Sequence, residues 1–103
     1  MSSAISIEPT ELYTKALKLF KKSKPALIKK LDKFIDCKLK GKPLPNAYND
    51  HCLTGKLQGF RECHLSGNDL LVYRVTGNTV KLVTICNHDD LYKIEAKIKR
   101  YGT

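Results

Sequence analysis

The chain has 103 residues, 42% of them apolar, and 19 Lys+Arg against 10 Asp+Glu leave a formal net charge of +9. That length suits one domain with a modest core rather than two, and the apolar share excludes a disordered chain. No apolar run approaches the roughly 20 residues of a membrane span, and the excess of positive charge points to a polyanionic partner.

In chain order, the opening "MSSAISIEPTELY" lacks the basic and apolar regions of an export signal, so a cytoplasmic location is expected. Within it the alternation "AISIE" predicts a first strand, and Pro9 suits the first turn of a helix. Leu12, Ala16, Leu19 and Phe20 recur at helical spacing up to about Lys22. After Ser23 and Pro25, the series Leu27, Leu31, Phe34, Ile35 and Leu39 predicts a second amphipathic helix with lysines on its outer side. Residues 1–42 carry eleven Lys and four acids, so most of the net charge lies in this helical hairpin. Gly41, Pro43 and Pro45 end it and lead into an extended segment, "KPLPNAYND".

From Lys56 the period falls towards two. Strands are predicted near 57–65, 69–76 and 79–86, joined at Ser66-Gly67-Asn68 and Gly77-Asn78 by residues with hairpin-turn chemistry. Asp89 opens a final helix with Leu91, Ile94, Ile98 and Tyr101 at helical spacing, and Gly102 is placed to stop it. The expected fold is α+β, with the helices packed on one face of an antiparallel sheet.

All three histidines fall in the second half, at or near predicted strand ends: His51, His64 and His88. In "GFRECHL" strand parity puts Phe60, Glu62 and His64 on one face and Arg61, Cys63 and Leu65 on the other. Glu62 and His64 are therefore expected side by side on an open face, since burying both unpaired is costly. Cleaving RNA through its own 2′-hydroxyl needs a base, an acid and a cation for the phosphate, and no metal. Histidine suits both proton transfers, a carboxylate can share them, and Arg61, Arg74 or Lys56 can hold the phosphate. As bare composition this inventory is not specific. Cys37, Cys52, Cys63 and Cys86 lack CxxC pairing and are expected as reduced thiols, with no zinc site and no cofactor.

The ordered elements "PLPNAYNDHCLTGKLQGFRECHLSGNDLLVYRV" and "NHDDLY" go further, because together they resemble the YafQ branch of the RelE superfamily of toxin–antitoxin ribonucleases. The resemblance is close over residues 43–92 and looser over the hairpin before them. It implies a RelE-like fold and a toxin that cuts messenger RNA in the ribosomal A site without a metal. It also implies an antitoxin partner, expected to present an acidic, amphipathic segment to the basic surface. By position, His51, His64 and His88 match the family's functional histidines, and Glu62 matches an acidic residue proposed in proton transfer. In that scheme His88 is the general acid, and Glu62 or His64 the base. Tyr92 matches the aromatic position after the last histidine, where it either stacks on a base or caps the core.

Two departures stand out. Where the family has an aspartate after the second histidine, this chain reads "SGNDLL", so Asn68 fills the slot and Asp69 adjoins it. The tail "KIEAKIKRYGT" runs about eleven residues past the family's usual end. Two other readings stay open: a non-nuclease member of the fold, like the gyrase-inhibiting ParE-type toxins, and an RNA- or ribosome-binding protein with weakened chemistry.

Overall fold

The computed structural model describes residues 5–103. Ala4, where the predicted first strand begins, lies outside the described residues; β1 runs Ser6–Pro9. Pro9 ends that strand rather than opening a helix, which suits an edge strand because proline has no N–H to give. Thr10 instead caps α1, Glu11–Ser23, its hydroxyl accepting the Tyr13 N–H at 3.1 Å. The buried stripe of α1 includes Tyr13, whereas Leu19 is left 69% exposed. The second helix of the hairpin, α2, spans Ala26–Leu39 and buries Leu27, Leu31, Phe34 and Cys37.

Single helical turns at Asn46–Tyr48 and Gly55–Leu57 flank β2, the two-residue strand His51–Cys52. Then follow β3 (Arg61–His64), β4 (Asp69–Thr76) and β5 (Thr79–Asn87), with strand order β1-β5-β4-β3-β2. β3, β4 and β5 pair antiparallel as expected and the short β2 joins them unforeseen, but β1 pairs parallel with β5, so the sheet is mixed. A bulge at Val83 opposite Val72 and Tyr73 shifts the β4–β5 register. Thr10 closes it: its N–H donates to the Leu82 carbonyl at 2.9 Å and its hydroxyl to the Val83 carbonyl at 2.7 Å.

The final helical segment is divided. The first piece, α3, spans His88–Leu91 and is capped by the Asn87 side chain; α4 spans Glu95–Gly102. Helices cover both sheet faces rather than one. Residues of α1 and α2 pack with Cys63, Leu71, Tyr73, Leu82 and Ile85, and Leu91 and Ile98 pack with Leu57, Phe60, Leu70, Val72 and Val83. Gly102 is the last helical residue rather than a stop after the helix, and a Cβ there would lie 2.3 Å from the Phe60 ring. No helix among the described residues is long and apolar enough to cross a membrane.

Candidate active site

Strand pairing brings the histidines together. His51 on β2 lies opposite Glu62 on β3, and His64 ends β3 opposite Leu70 of β4. Antiparallel pairing of β4 with β5 then places Asn87, and with it His88, beside Asp69 and Leu70. The His51 and His64 rings are 6.4 Å apart between centroids, and the His64 and His88 rings 5.3 Å. Three imidazoles separated by many residues in the chain thus line one end of the sheet, His51 and His64 half-buried and His88 exposed.

Glu62 joins them, yet in a different setting from the open face expected of it. Its side chain is only 5% exposed; one carboxylate oxygen meets His51 Nε2 at 2.8 Å, and the other is enclosed without a hydrogen-bond partner. The other nitrogen of His51, Nδ1, lies 2.7 Å from the Asn49 carbonyl, and the Asn49 amide nitrogen is 3.5 Å from His64 Nε2.

The two arginine candidates are placed elsewhere. Arg61 is on the opposite face of β3, where its guanidinium donates to Asp50 at 3.1 Å, to the Tyr73 hydroxyl at 3.3 Å and to Cys52 Sγ at 2.8 Å. Asp50 also accepts the Tyr73 hydroxyl proton. These bonds, that to Asp50 foremost, raise the Arg61 pKa still further above its already high value, so the side chain is a committed structural cation. Arg74 shares the Glu62 face, but its guanidinium sits 5.3 Å from the Phe60 ring centroid, beside a cavity of about 380 Å³ at the α4 end. Lys56 is exposed on the Gly55–Leu57 turn.

Asp69 does not stand in for the missing aspartate. Its carboxylate is buried on the α1 side, held by Lys24 at 2.7 Å and by the Ser66 hydroxyl at 2.8 Å, while Asn68 is exposed in the turn. Tyr92 is 69% exposed, which removes the core-capping reading, and it lies one helical turn after His88. Asn49, Asp50 and Tyr73 were not singled out from the sequence. Their signal is the Asn-Asp pair ahead of His51, a turn-forming dipeptide whose partners become evident only once β2, β3 and β4 are aligned.

This arrangement offers two accessible imidazoles, a third paired with a buried carboxylate, and an exposed aromatic beside them. Residues 5–93 match the family described as "Bacterial toxin of type II toxin-antitoxin system, YafQ". A putative toxin YafQ of Haemophilus influenzae is 45% identical over 40 residues, 39% of each chain. The mRNA interferase toxin YafQ of Escherichia coli is 32% identical over 50 residues, 48% of this chain and 54% of that one. The chain therefore matches less than two thirds of the length of either relative. Among solved structures, the E. coli DinJ-YafQ toxin-antitoxin complex superimposes with a TM-score of 0.76 at 27% identity, covering 87% of this chain and 99% of that one.

Proposed function

The chain belongs to the YafQ family of bacterial type II toxin–antitoxin toxins, and from that premise we propose that it is a metal-independent endoribonuclease acting on ribosome-bound messenger RNA and silenced by a cognate antitoxin. The activity rests on likeness to a relative named an mRNA interferase, and the partner on likeness to a toxin solved with its antitoxin. The observation that carries the chemistry is the set of three imidazole rings with successive centroid separations of 6.4 and 5.3 Å.

The reaction needs no outside nucleophile. A base takes the 2′-hydroxyl proton, that oxygen attacks phosphorus, the bond to the 5′-oxygen breaks, and an acid protonates the departing oxygen. Glu62 is enclosed and already engaged by His51, so the half-buried His64 is the better-placed base. The exposed His88, 5.3 Å away, is the acid in this scheme. His51 with Glu62 supplies a polar wall facing the phosphate, and Tyr92 offers a ring on which a base can stack. Arg61 is committed to Asp50, so phosphate neutralisation falls to the histidines, with the exposed Lys56 a further cationic candidate.

Comparing induced wild type with His88→Ala by mapping messenger RNA 5′ ends and DNA breaks tests this. Codon-phased cuts reduced about 10²- to 10⁴-fold in the variant are the expected result, the usual worth of a general acid. DNA breaks with intact messenger RNA would instead indicate a gyrase-directed toxin. Ribosome binding without either form of damage would indicate a protein of weakened chemistry, the reading that Asn68 in the aspartate slot favours.

A further inference from the structure

Asn49 is the one non-glycine residue with positive φ among the described residues, at φ 45° and ψ 49°. Asparagine tolerates that left-handed conformation better than most side chains. It ends the Asn46–Tyr48 turn, its N–H bonded to the Asn46 carbonyl at 3.0 Å, and the reversal aims its own carbonyl at His51 Nδ1, 2.7 Å away. From the same residue the side-chain amide reaches His64 Nε2. One strained residue thus touches two of the three histidines, one through its backbone and the other through its side chain.

The donor and acceptor chemistry of these contacts constrains where the protons lie. A carbonyl only accepts, so the hydrogen in the Asn49–His51 contact belongs to Nδ1. The 2.8 Å contact of His51 Nε2 with Glu62 then requires a second proton, carried either by an imidazolium or by the carboxyl group. An amide nitrogen only donates, so His64 receives it on a bare Nε2 and keeps its own proton on Nδ1. The separation of 3.5 Å is at the outer limit of a hydrogen bond, leaving that lone pair free to take the proton of a ribose hydroxyl. His88 and the buried Cys86 thiol are other titratable groups on this side of the sheet; Asp50 is tied to Tyr73 and Arg61.

We propose that Asn49 is a positioning residue that sets opposite proton states on two histidines, keeping His51 and Glu62 loaded with a shared proton and His64 ready to accept one. This rests on the ribonuclease reading for its purpose, though not for its test. Glycine at 49 keeps the left-handed backbone and the carbonyl but removes the amide; valine, whose branched Cβ resists positive φ, disturbs both.

The test is ¹⁵N NMR of the imidazoles in wild type, Asn49→Gly and Asn49→Val, paired with single-turnover cleavage against pH. In wild type His51 should show a protonated Nδ1 and a hydrogen-bonded proton at Nε2, and His64 a bare Nε2. Asn49→Gly should redistribute the His64 tautomers alone, alter the pH profile of the cleavage step and leave RNA affinity unchanged. Asn49→Val should also release His51 and slow cleavage by about 10²-fold, the effect of a misplaced catalytic group. A bare Nδ1 on wild-type His51, or a His64 spectrum unmoved in Asn49→Gly, overturns the proposal, and the glycine variant decides it even if the valine variant fails to fold. If the spectra behave as stated while RNA stays intact, the nuclease reading falls and the positioning role stands.

Discussion

At the scale of single residues, the sequence already separated the two faces of β3, because side-chain alternation holds however the strand is paired. Glu62 and His64 do share a face, and Cys63 and Leu65 pack into the core. What alternation could not supply is depth: Glu62 is enclosed beside β2, where His51 pairs across from it on a two-residue strand with no sequence signature of its own. The Asp50–Tyr73–Arg61 cluster was hidden for the same reason, since its members come from three chain segments. Burial first, and then the hydrogen bond to Asp50, raise the Tyr73 pKa. A phenol whose folded pKa exceeds its unfolded value contributes stability that is intact below about pH 10 and lost as pH climbs through the folded value. Tyr73→Phe is therefore expected to flatten the stability profile above about pH 10, while costing about 1–3 kcal/mol near neutrality by taking a donor from Asp50. Urea melts at several pH values measure both effects. Burial also pushes the Cys63 and Cys86 thiols up to about 12, Cys37 is buried, and Cys52 is exposed. A colorimetric thiol reagent at mildly alkaline pH should find one fast-reacting thiol in the native protein, Cys52, and all four after denaturation; two or more fast thiols would contradict this burial.

At the scale of elements, helical periodicity and turn residues located the hairpin and β4 and β5 to within a residue or two. Boundaries moved where a cap outweighed a local preference: Pro9 reads as a helix opener, but the Thr10 hydroxyl holds the helix N-terminus and the bulge carbonyl of Val83 together. Thr10→Val is expected to cost about 1–3 kcal/mol, combining a lost cap with a buried carbonyl left without its donor. Thermal unfolding reads that directly, and a change under 0.5 kcal/mol, the ordinary size for an uninvolved surface site, would show that the bulge closes without it. The break between α3 and α4 carries no glycine or proline, so periodicity alone runs through it as one helix. Leu91 and Ile98, seven residues apart, still reach the same core across it. Gly102 was visible as a residue but not in its role, which is to let the tail approach the Phe60 ring. Gly102→Ala forces that ring or the tail to move, an overpacking of about 1–3 kcal/mol. Faster amide exchange confined to residues 95–103 is the expected signature.

At the scale of the whole molecule, the surplus of charge was the plainest message of the sequence, and it concerns association rather than fold. Binding to RNA or the ribosome is expected to weaken by roughly an order of magnitude or more as salt rises from about 50 to 200 mM, through release of counterions from neutralised phosphates. A salt-independent affinity would remove electrostatics from the account. The same charge predicts an acidic neutralising segment in the antitoxin, and a basic one would count against it. Least legible was the parallel pairing of Ser6–Pro9 with Thr79–Leu82, because nothing local announces a partner more than seventy residues away. That pairing orders events during synthesis. The earliest strand waits unpaired until β5 emerges, and His88, one residue beyond β5, emerges with it. A nascent chain therefore lacks both its closed sheet and the histidine proposed as its acid until β5 and the turn after it have been made.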